Sequence, residues 1–169
     1  VPILAPATPG ECFHAVLEAF RIAVRYMTPV IVLSDSYLAN SSEPWLIPDV
    51  ASLQKTPVRL RTEPSGFLPY LRDAETLARP WAIPGTPGLE HRIGGLGKQE
   101  NTGAVSYDPR NNQRMNDLRA LKVARIAAEL PPVEVLGPPR GELLVIGWGG
   151  THGAITSAVE EARNDGLPV

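Results

Sequence analysis

The chain has 169 residues, 43% of them apolar, and 16 basic against 18 acidic side chains give it a net charge of −2. That composition suits one ordinary globular domain and excludes a disordered or fibrous chain. The near balance of charge leaves no electrostatic footprint for nucleic acid, and apolar runs such as Val30–Leu33 fall far short of the roughly 20 residues that cross a bilayer, so neither nucleic acid nor a membrane is an expected partner and a cytoplasmic location follows as the default.

The chain opens on Val1-Pro2-Ile3-Leu4, which reads as a strand already under way, and closes on Gly166-Leu167-Pro168-Val169, which reads as a helix stop leading into another strand. Both ends have the pattern of an internal piece of a longer chain. Residues 3–33 read as strand, helix, strand. Thr8-Pro9-Gly10-Glu11 is a capping box with proline at the first helical position, where its missing N–H costs nothing, so a helix is expected from Pro9. Cys12, Val16, Ala19, Phe20, Ala23 and Met27 recur at steps of three and four and form the expected inward stripe, with His14, Glu18, Arg21 and Arg25 opposite. Val30–Leu33 is a β-branched run without alternation, the pattern of a parallel strand buried on both faces.

From about 38 to 108 prolines and glycines break the periodicity, so only short elements fit, with Val58–Thr62 having the composition of a strand. Trp45, Phe67, Leu68, Tyr70, Leu71 and Trp81 make this stretch too apolar for a disordered linker, and an ordered excursion folded onto the body or another chain is expected. Asp108-Pro109 caps a second helix that runs to about Leu130, with Leu118, Leu121, Ala124 and Ala128 inward and Pro131-Pro132 as its stop. A hinge around Gly137–Gly141 precedes a buried strand, Glu142–Ile146, then the turn Gly147–Gly153 and a third helix with Ile155, Ala158, Val159 and Ala162 inward. The domain reading is therefore 1–130, a linker at 131–140, and a new α/β domain from 141 to 169.

Several residues carry candidate chemistry. Gly147, Gly149 and Gly150 lie between a strand pattern and a helix start, where backbone amides can approach a phosphate, and this supports a nucleotide-binding α/β module as an alternative function. The fingerprint is imperfect because His152 stands where glycine or alanine is wanted, and the same glycines also serve tight strand-to-helix packing. Asp35 follows the Val30–Leu33 strand at its carboxyl end, where ligands of open α/β sheets gather, although aspartate there also simply turns the chain. His91 and Arg92, beside Glu90, could hold an anionic group or meet another subunit. His14 and His152 are isolated, no metal-ligand set is spelled out, and Cys12 on an apolar face reads as a small core residue. One cysteine cannot supply a four-thiolate iron–sulfur cluster.

Taken together, Glu11-Cys12-Phe13, Tyr26-Met27-Thr28-Pro29-Val30, Leu33-Ser34-Asp35, Tyr37–Asn40, Ser42–Trp45, Ile47-Pro48-Asp49, Arg79–Arg92, Val105–Pro109, Val145–Gly149 and Gly153–Thr156 resemble, in order, the α subunit of 2-oxoacid:ferredoxin oxidoreductases of the 2-oxoglutarate type. Ser36 departs from the glycine that the family has there. The resemblance implies an α/β fold made of the end of a thiamine-diphosphate pyrimidine-binding domain and the first β-α unit of a transketolase-C-terminal-like domain. It also implies a reaction for the intact complex, in which a 2-oxoacid and coenzyme A give acyl-coenzyme A, carbon dioxide and reduced ferredoxin. Thiamine diphosphate and Mg2+ would be shared with a β subunit, a [4Fe-4S] cluster would sit on the partner subunit, and the fragment alone would bind no cofactor and be inactive. No catalytic residue is carried over, because the family's motifs are expected upstream of Val1.

Overall fold

The computed structural model describes residues 1–169. They divide into two compact units. One comprises residues 1–2, 21–29 and 54–130, and the other residues 3–20, 30–53 and 131–169.

In the second of these units, β1 (Ile3–Leu4) and β2 (Ile31–Val32) pair in parallel with Ile3 opposite Ile31 and Leu4 opposite Val32. A parallel pair needs a crossover, and α1 (Pro9–Tyr26) supplies it. The capping box forms as its sequence demands: Glu11 N–H donates to Thr8 Oγ1 at 3.3 Å and Ala7 N–H donates to the Glu11 carboxylate at 2.7 Å. The inward face of α1 differs from the expected stripe. Ile22 and Tyr26 are the fully buried positions, whereas Val16 and Phe20 are 57% and 56% exposed. The hydrophobic residues of this helix cover two faces, and periodicity alone cannot say which one packs. Ile31 and Leu33 are also exposed, contrary to a strand buried on both faces, because the sheet here has two strands and nothing layered over both sides.

Asp35 caps a short helix, α2 (Ser36–Asn40), whose Leu38 is buried. The expected strand at Glu142–Ile146 does not form. Residues 143–146 have no ladder partner and Ile146 is 76% exposed, since apolar content alone does not make a strand without a neighbour to bond to. After it a 3-10 turn, Gly149–Thr151, leads into α4 (His152–Asn164). Ile155, Val159 and Ala162 are half-buried as expected, but Ala158 faces solvent. The helix ends at Gly166, whose φ of +83° lets Leu167 N–H reach back to Ala162 C=O.

The other unit is built on α3 (Pro109–Ala127), capped by the Asp108 carboxylate through Arg110 N–H at 2.9 Å. Its inward stripe is Met115, Leu118, Lys122 and Ile126, so of the expected residues only Leu118 faces inward, and Leu121, Ala124 and Ala128 face outward. The larger side chains of Met115 and Ile126 bury more apolar area than alanines could, which fixes the rotation of the helix. Met115 and Leu118 meet Tyr70 and Leu77 in a core cluster, so the proline-rich excursion is ordered and packs onto α3. Within it, β3 (Leu60–Arg61) pairs in parallel with β4 (Trp81–Ala82). The glycine-rich stretch is tied down by Asn111, which donates to Lys98 C=O at 2.8 Å and accepts from Glu100 N–H at 3.0 Å.

Candidate functional site

The sequence candidates Asp35, Gly149 and Gly150 come together in one junction. Asp35 stands just past β2, and its carboxylate accepts from Leu38 N–H at 2.9 Å through Oδ1 and from Gly150 N–H at 2.9 Å through Oδ2. These amides, Leu38 first and then Gly150, hold the Asp35 carboxyl below the usual carboxylate range. A Cβ on Gly150 would lie 2.7 Å from Asp35 Oδ2, so only glycine lets the backbone approach this closely. Gly149 has φ +63°, which any side chain would strain. A Cβ on Gly147 would meet the tip of the Ile155 side chain, which would have to shift to admit it. The anion at the amino end of this glycine turn is thus the chain's own carboxylate, occupying the position a phosphate would need.

The remaining candidates lie elsewhere. His91 Nδ1 is 2.7 Å from Leu89 C=O, and its ring stands edge-on to Phe67 with centroids 5.4 Å apart. With Arg92, Glu90 and Thr102 it lines a shallow depression of about 420 Å³. His14 is exposed beside Phe13, His152 is the exposed first residue of α4, and Cys12 donates to Thr8 C=O at 3.6 Å on a half-buried face. No group of three His, Cys, Asp or Glu side chains converges to hold a metal ion.

Sequence reasoning missed a basic cavity of about 590 Å³ between β3, β4 and the carboxyl half of α1. Arg21, Arg25, Lys55, Arg59, Arg61, Arg72 and Arg79 line it, against the acidic Asp73 and Glu75. Balanced composition hid this concentration, because the cations are spread over nearly 60 positions and meet only in the fold. Arg21 and Arg25 pair with Glu129 at 3.3 and 2.9 Å. Arg79 lies over the Tyr70 ring, 4.5 Å from its centroid. Arg72 Nη1 donates to Leu77 C=O at 3.0 Å, and Leu77 adopts a left-handed φ of +56° in the turn where its N–H bonds Asp73 C=O. The buried Nε of Arg72 has no partner.

Close to these cations, Lys122 is 6% exposed and donates from Nζ to Tyr26 C=O at 2.8 Å and Met27 C=O at 3.4 Å, satisfying carbonyls at the end of α1. Burial, followed by the fields of Arg72 and Arg79, pushes its pKa down to about 8. Burial and the guanidiniums of Arg79 and Arg119 likewise push Arg72 below the usual arginine range.

The family model POR_N, described as pyruvate flavodoxin/ferredoxin oxidoreductase, thiamine diP-bdg, matches residues 1–108. The chain belongs to this family. Over its full length it is 51% identical to the 2-oxoglutarate oxidoreductase subunit KorA of Mycobacterium tuberculosis, covering 26% of that protein. It is 29% identical over 98% of its length to the 2-oxoacid:ferredoxin oxidoreductase subunit alpha of Saccharolobus solfataricus, covering 27% of that protein. The chain therefore spans about a quarter of the length of these curated relatives. Among solved structures, the 2-oxoglutarate:ferredoxin oxidoreductase from Magnetococcus marinus, with 2-oxoglutarate, coenzyme A and succinyl-CoA bound, superposes with a TM-score of 0.81 and 29% identity, over 99% of this chain and 29% of that one. No helix is long and apolar enough to cross a membrane.

Proposed function

We propose that this chain is part of the α subunit of a thiamine-diphosphate-dependent 2-oxoacid:ferredoxin oxidoreductase that converts 2-oxoglutarate and coenzyme A to succinyl-coenzyme A, carbon dioxide and reduced ferredoxin. The observation that carries the reading is similarity over the whole chain, in sequence and in backbone, to relatives whose names carry 2-oxoglutarate. Residues 1–130 supply the closing part of a pyrimidine-binding domain, 131–140 are a linker, and 141–169 open a transketolase-C-terminal-like domain. The complex works in the cytoplasm with a β subunit and ferredoxin.

The residues present do not build the cofactor's site. No carboxylate set gathers for Mg2+, and the glycine turn that could meet a diphosphate is filled by Asp35. In the intact complex thiamine diphosphate and Mg2+ would be shared with the β subunit. A [4Fe-4S] cluster on the partner fits a chain whose one cysteine lies in a helix face. The role of this segment is architectural: the Asp35 carboxylate joins the end of β2 to the turn before α4, and α3 organises the excursion around it. The occupied glycine turn argues against the nucleotide-binding alternative. The test is turnover by the intact α subunit assembled with its β subunit. Reduction of a viologen dye that needs coenzyme A and prefers 2-oxoglutarate to pyruvate supports the proposal; no reduction with any 2-oxoacid refutes it.

A further inference from the structure

We propose that residues 41–49 form a strap that closes over the amino end of α1, is latched there by Glu43 and opens as one unit. The strap runs between two capped turns. One is α2, capped by Asp35, and the other is the 3-10 turn Val50–Ser52, capped by the Asp49 carboxylate through Ala51 N–H at 2.9 Å. From Ser42 to Pro48 the strap makes no backbone hydrogen bond. Its hydrogen bonds and its ring contact to the body come from Glu43 and Trp45. A segment held at its ends, with few contacts between them, opens locally without disturbing the rest of the fold. Pro44 and Pro48 restrict the backbone on either side of Trp45-Leu46-Ile47, so the middle of the strap moves together.

The latch is a carboxylate set on a helix start. Gly10 is the second residue of α1, so its N–H has no acceptor within the helix and donates to Glu43 Oε1 instead. Thr8 Oγ1 donates to the same oxygen at 3.0 Å, and the positive end of the helix dipole strengthens both bonds. Glu11 N–H is served from within by Thr8 Oγ1 and does not depend on the strap. Gly10 itself is shaped for the contact. Glycine is a poor helix former, yet a Cβ here would run into Glu43 Oε1 and lie 2.8 Å from Trp45 Cδ1, so only glycine leaves a seat for the strap. Trp45 also meets the Phe13 ring, with centroids 5.3 Å apart. Leu46 and Ile47 at the crest are 91% and 85% exposed, so closure buries neither, and the two anchors alone decide whether the strap is shut. The amino end of α1 follows β1 at the carboxyl edge of the β1–β2 pair, the edge where ligands of parallel sheets gather, and an open strap uncovers it. Such a motion is independent of the reaction proposed for the intact protein.

The experiment reads each anchor from the other in the intact protein. Hydrogen exchange resolved to single amides by mass spectrometry follows Gly10, and acrylamide quenching follows Trp45, isolated by difference from the Trp45→Phe protein. Trp45→Ala leaves the Gly10 acceptor in place, yet it should speed exchange at Gly10 by about fivefold because the strap opens more often. Glu43→Ala should in turn raise the quenching of Trp45. Exchange at Glu11 should stay at the wild-type rate in both variants, and Leu46→Ser at the exposed crest should change neither reading. Glu43 and Trp45 are both exposed, so these variants keep the fold. Gly10 exchange unmoved by Trp45→Ala, or Trp45 quenching unmoved by Glu43→Ala, would show that the anchors do not act as one unit and overturn the proposal. Equal acceleration at Glu11 would overturn it too, as fraying of the helix start in place of an opening strap.

Discussion

Replacing Lys122 with methionine removes one buried ammonium while keeping the length of the side chain, and its effect can be worked out from the surroundings of Nζ. Folding lowers the pKa of this group from its ordinary 10.5 to about 8. At about 1.4 kcal/mol per decade that amounts to roughly 3–4 kcal/mol, and water reaching part of the site halves it to ~2 kcal/mol. Against this relief, methionine leaves the carbonyls of Tyr26 and Met27 without their donor, which costs about 1–3 kcal/mol. At neutral pH the two terms nearly cancel. The pH dependence separates them. Because the folded pKa lies below the unfolded one, the unfolded chain holds the extra proton between pH 8 and 10.5, and stability rises as pH climbs through that window. The wild type should gain ~2 kcal/mol that Lys122→Met cannot, so the difference between the two proteins widens by about that amount from about pH 7 to about pH 10. Urea denaturation followed by circular dichroism at both pH values measures it, and other titrating groups cancel in the comparison. A difference that is constant or shrinks with pH would refute the assignment of Lys122 as a buried, field-depressed cation.

Two further substitutions probe the two units separately. Asp35→Asn should speed amide hydrogen exchange at Gly150 and Leu38; because the wild-type carboxyl titrates below its ordinary 3.8, protection of Gly150 should persist there down to pH 4 and fall only as pH drops through the lower folded value. Equal exchange at Gly150 in both proteins, read by mass spectrometry, would mean the contact carries no weight. Gly103→Ala combines a left-handed φ of +70° with a Cβ 2.6 Å from Tyr70 Cδ2, and should cost about 2–3 kcal/mol in the urea midpoint. Gly94→Ala, with nothing within 4 Å, should be close to neutral, and similar losses for both would contradict the packing described.

Where local chemistry decides, the sequence was readable. Thr8, Glu11 and Asp108 announced the starts of α1 and α3 through the capping groups they place, and Gly166 marked the end of α4. Asp35 was legible from its place after a strand, and so were the glycines it meets, although that the two would touch was not. Facing was poorly readable, because α1 and α3 each carry apolar residues on more than one side and the packed face depends on partners distant in sequence. Lys122 shows the limit well: a lysine at an inward position looks wrong until the carbonyls at the end of α1 are seen beside it. The strand expected at Glu142–Ile146 failed for the same reason, since ladder bonding is a property of pairs. The basic cavity was invisible, because its cations lie on three separate stretches of a chain of balanced charge.

The central proposal is that this chain is part of the α subunit of a thiamine-diphosphate-dependent 2-oxoacid:ferredoxin oxidoreductase. Its most direct test is turnover of the assembled complex with 2-oxoglutarate and coenzyme A after the cofactor has been stripped and then restored. Activity that vanishes without thiamine diphosphate and Mg2+, returns when they are added back, and leaves the apparent cofactor affinity unchanged in Asp35→Asn is the predicted result; turnover indifferent to thiamine diphosphate would contradict the account.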